Sequence, residues 1–363
     1  MPVTKWDDYL LHQNFSTLDK IQSDGTNAFE RSLIVCVSPD GKLQLDISVF
    51  IYPNRKITDV GIGIRYGNTQ RSMFISRPMD PENDRDDFRL GPFHAKIVEP
   101  MKRWQIDLAE NDYGIGCSLK MEGRSAPWEA GDWVAMSKDF YQAVVCQALR
   151  FSGTITFESK EYSVNGCVGV KDRSWGIRPG AGPSIESEAP ITPALAMENW
   201  IAAHFQNYSF NLIGTVMNPA VVGKEMEFFV SNIVSDDGTV MPLGDVHHRV
   251  EFLEPFEKHR EYTKEEFLLK DPAGKKRHLV IRPISRPFSL FAMGWFHGML
   301  GKDFGGFHME GNQLDASKPA PLGDERWLNQ HRVCECQLDG DKGVAFVESI
   351  FCQLPDWKYK PTW

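Results

Sequence analysis

The residues best suited to chemistry lie in one short segment, Val164–Arg178, which reads VNGCVGVKDRSWGIR. It begins with the pattern of a strand and ends with Asp172, Trp175 and Arg178 close together. A carboxyl group that faces an apolar cavity loses hydration, which raises its pKa and suits it to act as a general acid. An indole face can stabilise a developing cation by about 0.5–2 kcal/mol. We therefore name Asp172, Trp175 and Arg178 as candidate catalytic residues, with Arg178 orienting the acid.

The same segment also has a purely structural interpretation. Asp172 can form an ion pair with Arg173 or Arg178, Trp175 can fill a core, and Gly176 can permit a tight turn. Spacing alone favours this interpretation. It differs from the catalytic one in whether Asp172 faces a cavity or an arginine.

Four side chains outside the segment are candidates for lining a ligand pocket. An isolated histidine among apolar neighbours is more often a hydrogen-bonded core residue than a ligand contact. Each of the four nevertheless combines a ring with a polar atom, as pocket residues often do. The candidate ligand-binding residues are His204, Tyr208, Trp295 and His297.

Metal, nucleotide and serine-hydrolase motifs are all incomplete. The acidic stretch 80–87 fails the EF-hand template because Arg85 occupies the glycine position. The adjacent His247 and His248 would point to opposite faces of a strand. Gly61 and Gly63 have the wrong spacing for a dinucleotide loop, and glycines within a strand mark a bend, a bulge or a close backbone approach. A G-x-S-x-G elbow around Ser174 lacks its first glycine. We predict no metal site.

Composition limits the class of partner. The chain has 363 residues and a net charge of −9, and its longest basic run is three residues, so nucleic-acid binding is not expected. No stretch is long and apolar enough for a membrane span. Seven scattered cysteines without a C-x-x-C pair, and the absence of a leader pattern, favour a reducing, cytoplasmic setting. The 23 Phe and 10 Trp fit an apolar ligand cavity and a plain β core equally well.

The dominant pattern is an alternation of period two, which is typical of β-strands. Between residues 43 and 51 the odd positions are apolar, whereas Gln44, Asp46 and Ser48 are polar, so we predict a half-buried strand. Thr4 and Asp7 predict a capping box on a short N-terminal helix, and 137–149 fits helix or strand. Many antiparallel strands with tight turns predict an all-β sandwich or barrel. A Gly- and Pro-rich stretch suggests two domains, 1–160 and 161–363, with the change between 150 and 195.

The residues from Gly166 to Arg178 resemble the signature of a bacterial two-domain group. That group is related to carotenoid 1,2-hydratases (hydroxyneurosporene synthases), AttH-like proteins and fungal lipocalin-like Diels–Alderases. The resemblance implies two lipocalin-like antiparallel β-barrel halves, few short helices and one large apolar cavity. It also implies that the protein acts on hydrophobic, often polyenic molecules without a metal or organic cofactor. Asp172 and Trp175 match the Asp and Trp of the motif.

Arg173 departs from the motif, since the related hydratases have His at this position. A fixed cation cannot relay protons near neutral pH as an imidazole can, so hydration through a histidine shuttle is not expected. One hypothesis is a cofactor-independent hydratase, dehydratase or cyclase acting on a terpenoid, steroid or polyene-like ligand. The alternative is a non-catalytic carrier of a lipophilic ligand. A third is a protein-interaction module that uses Trp327 and the 357–363 tail.

Overall fold

The computed structural model describes residues 3–10, 25, 27–80, 86–137, 140–177, 195–218, 220, 226–255, 258–259, 261–295, 299–321, 323–351 and 359–363. Nearly all of the regular structure in these ranges is antiparallel β-strand. The helices are short 3₁₀ turns, Lys5–Asp8, Phe291–Met293 and Glu325–Trp327. The predicted all-β class is confirmed. Within the described ranges, no helix combines the length and apolarity needed to cross a membrane.

The strands fall into two runs along the chain. The first run contains β1 Ala28–Val37, β2 Leu43–Tyr52, β3 Ile57–Tyr66, β4 Thr69–Pro78, β5 Asp87–Leu90, β6 Phe93–Glu99, β7 Arg103–Leu108, β8 Ile115–Gly123, β9 Trp128–Ser137, β10 Phe140–Phe157, β11 Lys160–Ser163 and β12 Val168–Ile177. The second run contains β13 Leu195–His204, β14 Tyr208–Met217, β15 Glu227–Ser235, β16 Val240–Phe252, β17 Tyr262–Lys270, β18 Lys276–Pro283, β19 Phe288–Ser289, β20 His308–Asp315, β21 Asn329–Leu338 and β22 Asp341–Phe351.

The second sheet closes on itself. Its strands follow the order β18-β17-β16-β15-β14-β13-β22-β21, and β18 also pairs with β21, so eight strands form a closed barrel. The first sheet curls into a half-barrel, in the order β20-β4-β3-β2-β1-β12-β10-β8-β7-β6-β5. The two-barrel architecture is therefore confirmed, with one barrel closed and one open.

The chain passes from the first sheet to the second only after β12, and β20 later returns to the first sheet. Strand β12 lies in the middle of the half-barrel, between β1 and β10. The sheets therefore change between Ile177 and Leu195, inside the predicted interval 150–195 but after residue 160. Later, β20 leaves the closed barrel and pairs with β4 at the edge of the half-barrel. A division into domains at 160 remains a prediction.

Strand β2 is buried on both faces, so the prediction of a half-buried strand was wrong. Leu45 and Ile47 point into the core of the half-barrel, as the alternation indicated. The polar face, with Asp46 and Ser48, is covered by residues of the second half of the chain. Alternation reveals which face is polar, but it does not reveal whether a second sheet covers that face.

The two sheets pack through a shared apolar layer. Its members alternate with polar residues along their strands, because neighbouring side chains point to opposite faces. The layer includes Leu33, Val35, Val37, Val144, Cys146 and Val170 from the half-barrel and Trp200, Ala202, Ile213, Val234, Val333 and Phe346 from the closed barrel.

Three local predictions were tested by the fold. Thr4 caps the first 3₁₀ turn in a capping box with Asp7, as predicted. In the ambiguous stretch 137–149, the described residues are strand: Ser137 ends β9, and those from Phe140 onward belong to β10. Trp327 is buried with Ala316 and Ala320, which does not fit an exposed aromatic patch.

Gly61 and Gly63 allow the 288–295 segment to pack directly against β3. Such a close approach is one of the roles expected for glycines in a strand. A Cβ atom at Gly61 would lie 2.4 Å from the carbonyl oxygen of Met293, and one at Gly63 would lie 2.5 Å from the ring of Phe288. Both distances are too short for real contacts. The glycines thus set how closely the 288–295 segment approaches the first sheet.

We expect Gly61→Ala to lower the free energy of unfolding by about 1–3 kcal/mol, because the new methyl group forces the backbone of Met293 to move. Urea denaturation of the purified protein measures this change. The matched control is Gly244→Ala, where a Cβ atom meets no heavy atom within 4 Å. Equal stability of the two variants would contradict the close approach at Gly61.

Candidate functional site

Asp172 and Trp175 lie on opposite faces of β12. Val170 packs in the layer between the sheets, so Asp172 and Ser174, two and four residues later, face the closed barrel. Arg173 and Trp175 face the interior of the half-barrel. The predicted cooperation of Asp172 with Trp175 is therefore wrong, because a spacing of three residues on a strand separates the side chains.

The side chain that meets Asp172 is Arg31 of β1. One Nη of Arg31 forms an ion pair with Oδ2 of Asp172, and its Nε donates a hydrogen bond to Oγ of Ser174 at 2.8 Å. Asp172 is 4 % exposed. Its other oxygen, Oδ1, accepts no hydrogen bond from the described residues. Asp172 thus faces an arginine on one side and keeps one oxygen uncommitted.

Burial raises the pKa of the Asp172 carboxyl. The guanidinium of Arg31 acts in the opposite direction, and the nearby carboxylate of Glu348 adds to the increase. The balance leaves the pKa above the ordinary value for aspartate. Asp172 therefore keeps its proton to a higher pH than an exposed aspartate does, which is the property required of a general acid.

The indole next to this pair is that of Trp295. The guanidinium carbon of Arg31 lies 5.3 Å from the centre of the Trp295 ring, and Nε1 of Trp295 donates to Oγ of Ser48 at 3.2 Å. The ring of Phe50 packs edge-on against it at 5.1 Å. We call the surrounding group the aromatic cluster: Phe29, Phe50, Tyr52, Phe74, Phe288, Leu290, Met293, Trp295 and Leu300.

A second buried carboxyl group borders the aromatic cluster. Asp59 of β3 is paired in register with Phe50, and its Oδ2 accepts a hydrogen bond from the backbone N–H of Gly301 at 2.5 Å. Burial raises the pKa of Asp59 to about 7, although the hydrogen bond from Gly301 opposes the shift. Nothing in the local sequence pattern marks this residue.

His331 connects the two sheets through ion pairs. Its Nδ1 lies 2.5 Å from Oδ2 of Asp46 on β2, and its Nε2 lies 3.3 Å from Oε2 of Glu348 on β22. Burial by itself lowers the pKa of His331, but the two carboxylates outweigh burial and raise it to about 9. The imidazolium in turn holds the pKa of Glu348 below its ordinary value, against the effect of burial. These three residues form a charged bridge beside the Asp172 site.

Residues 3–351 match the profile of the family of unknown function DUF8625. The chain belongs to the DUF8625 family. No curated protein matches its sequence.

Solved structures are similar to this DUF8625 protein at low sequence identity. CghA is 11 % identical, with a TM-score of 0.52 over 92 % of this chain and 90 % of that one. CghA with Sch210972 is 12 % identical, with a TM-score of 0.48 over 90 % and 89 % of the two chains. Kievitone hydratase from Nectria haematococca is 11 % identical, with a TM-score of 0.48 over 94 % and 93 %.

The inward face of β12 in the DUF8625 chain carries structural ion pairs. Lys171 forms an ion pair with Asp8 of the first 3₁₀ turn, and Arg173 forms one with Glu30 of β1. Both pairs are almost completely buried. The guanidinium of Arg173 also lies 5.6 Å from the centre of the Trp175 ring. Arg173 and the partly buried Trp175 therefore lie on the face of β12 opposite to the Asp172 site.

Two of the predicted pocket residues form contacts of their own, separate from Asp172. Nδ1 of His204 lies 3.4 Å from Nη1 of Arg124, and burial together with Arg124 lowers the His204 pKa to about 3. The hydroxyl group of Tyr208 donates to Asp341 at 2.9 Å. Of the described pocket candidates, only Trp295 reaches the site. Arg178 and His297 lie outside the described residues.

Proposed function

We propose that the protein binds a hydrophobic small molecule against the aromatic cluster and catalyses its hydration, dehydration or cyclisation without a cofactor. Asp172 is the proposed general acid. The observation that supports this role is a buried carboxyl group with a raised pKa and one free oxygen beside Arg31, which contacts Trp295. Such a group can donate a proton at a site from which bulk water is excluded.

The proposed reaction begins with proton transfer from Asp172 to an alkene carbon of the ligand. The π electron pair forms the new C–H bond, which leaves a cation on the neighbouring carbon and a carboxylate on Asp172. Arg31, whose Nη contacts Oδ2 of Asp172, stabilises the carboxylate as it forms. Ring faces of the aromatic cluster stabilise the cation. In hydration, water then adds to the cation and returns a proton to Asp172. In cyclisation, a second alkene of the ligand attacks the cation, and the new cation then loses a proton to the Asp172 carboxylate, which forms the product and restores the acid.

The test compares wild type with Asp172→Asn, which keeps the shape of the side chain and removes its acidic proton. With a hydrophobic metabolite extract as substrate source, chromatographic mass spectrometry reports any ligand whose mass or retention changes. We expect turnover to fall at least about 100-fold in the variant, with binding retained. We also expect wild-type turnover to decrease as pH rises through the raised pKa of Asp172, because the reactive form is protonated.

The matched control is Asp112→Asn, which changes an exposed aspartate and should leave turnover unchanged. Turnover of a confirmed substrate by Asp172→Asn at the wild-type rate would contradict the proposed acid.

Two contacts of Arg31 favour a second candidate function: its ion pair with Asp172 and the hydrogen bond that it donates to Ser174. In a non-catalytic carrier of a lipophilic ligand, Asp172 would simply hold Arg31 in place between the sheets. A ligand that binds to wild type and to Asp172→Asn, and emerges unchanged from both, would identify a carrier.

A further inference from the structure

A cleft of about 520 Å³ opens between the two sheets, away from Asp172. Its volume is within the range of small-molecule sites. On β2, Ser48 lies in the cross-strand row of Asp172, and Gln44 lies opposite the cleft residue Arg65. Ser48 and Gln44 are four positions apart on β2, so the row of Asp172 and the row of Arg65 are about 13 Å apart at the usual rise of a strand. The cleft is thus a separate part of the interface.

Arg65, in the wall of the cleft, is a buried cation with neutral partners. It is 1 % exposed, and its guanidinium donates to the backbone carbonyls of Gly67 at 2.8 Å and Gly41 at 3.1 Å. Among the described residues no carboxylate lies within ion-pair distance, and Nε of Arg65 has no hydrogen-bond partner. Burial lowers the pKa of Arg65 to about 10, despite the favourable field of Asp46. Both oxygens of Asp46 already bind other side chains.

Two further arginines line the same cleft and share one carboxylate. Glu261 accepts from Arg332 at 2.7 Å, from Arg286 at 3.1 Å and from the backbone N–H of Ala320 at 2.5 Å. Its oxygens are therefore committed. Nε of Arg332 has no hydrogen-bond partner in the described part of the chain.

The cleft consequently carries an excess of positive charge. The lining contains the three guanidinium groups of Arg65, Arg286 and Arg332 but, apart from Asp40, only the carboxylate of Glu261, which leaves two positive charges unmatched. The remaining charged lining residues, Lys42 and Asp40, pair with each other at 3.3 Å. A guanidinium that is removed from water without a carboxylate leaves a positive charge uncompensated, and a bound anion would compensate it. The missing partner is therefore expected from solution.

We propose that this cleft binds a small molecule through an oxyanion group, either a carboxylate or a phosphate, with Arg65 as the principal contact. The planar guanidinium fork offers parallel N–H donors that match both groups. Arg286 and Arg332 would surround the anion from the closed barrel. This anion site is separate from the Asp172 site and does not depend on the proposed function of Asp172.

The experiment is isothermal titration calorimetry of the full chain at low ionic strength with inorganic phosphate, citrate and octanoate as probes. We expect at least one probe to bind with a dissociation constant below about 1 mM. Binding of phosphate alone would indicate a phosphorylated ligand, and binding of citrate or octanoate an organic carboxylate. We expect Arg65→Met to weaken that binding at least about 10-fold and Arg286→Gln at least about 3-fold, since each removes a charged donor.

The matched control is Arg249→Gln, which removes an arginine from the surface of the closed barrel and should change binding less than about 2-fold. Asp172→Asn should also bind the probes like wild type, so the two proposals can fail separately. Absence of binding for all three probes would overturn the proposal. Wild-type affinity in Arg286→Gln would also overturn the proposal. The side chain of Arg286 is partly exposed, so this variant decides the test if Arg65→Met proves unfolded by circular dichroism.

Discussion

Replacing His331 by glutamine is expected to lower the free energy of unfolding by about 3–5 kcal/mol near pH 7. The substitution removes the imidazolium and leaves the carboxylates of Asp46 and Glu348 buried without their cation. Because the pKa of His331 is raised from 6.5 to about 9, its contribution to stability is complete below pH 6.5 and is lost as pH rises towards 9. The stability difference between wild type and His331→Gln should therefore shrink above pH 9.

Urea denaturation at pH 6, 7 and 9.5 measures the effect of His331→Gln. The matched control is His247→Gln, which alters an exposed histidine of the closed barrel and should change stability by less than about 0.5 kcal/mol. A stability difference that is equally large at pH 6 and pH 9.5 would show that His331 acts through packing rather than through its charge.

Replacing Glu265 by glutamine is expected to stabilise the protein increasingly as pH rises. Glu265 lies inside the closed barrel with no exposed surface, and its Oε2 accepts a hydrogen bond from Nδ2 of Asn199 at 3.0 Å. Burial raises the pKa of Glu265 from 4.5 to about 8, although Arg332 opposes the shift. The folded protein therefore holds a proton that the unfolded chain releases, so wild-type stability declines between pH 4.5 and pH 8.

A glutamine at position 265 stays neutral at every pH and avoids that decline. We expect Glu265→Gln to match wild type near pH 4 and to be more stable by up to about 5 kcal/mol above pH 8. Urea denaturation across this range tests the prediction, with the exposed Glu110→Gln as control. A constant difference between Glu265→Gln and wild type from pH 4 to pH 9 would contradict the buried, protonated carboxyl group.

Strand patterns predicted the fold class because alternation is a local property of the sequence. The odd positions of β2 fill the core of the half-barrel as expected. The same local rule applied to β12 would have separated Asp172 from Trp175, since residues three apart on a strand point to opposite faces. The resemblance identified the segment that contains the site, but not the face on which each side chain lies.

The partners of Asp172 could not be predicted from local patterns. Arg31 and Trp295 reach it from β1 and from the loop after the second 3₁₀ turn. His331 bonds to Asp46 across 285 positions of sequence. Such contacts depend on how one sheet covers the other, and a polar residue on a strand looks the same in the sequence whether water or a second sheet lies above it.

The return of β20 to the half-barrel means that the edge of β4 is covered late during synthesis. Strand β4 is synthesised early, but β20, which covers its edge, is synthesised only after most strands of the closed barrel. Until then β4 presents unpaired backbone groups, which are a template for association with other chains. The nascent first half thus needs protection from aggregation for as long as the second half is being translated. If the chain is cut where it passes from the first sheet to the second, we do not expect either half to fold stably by itself.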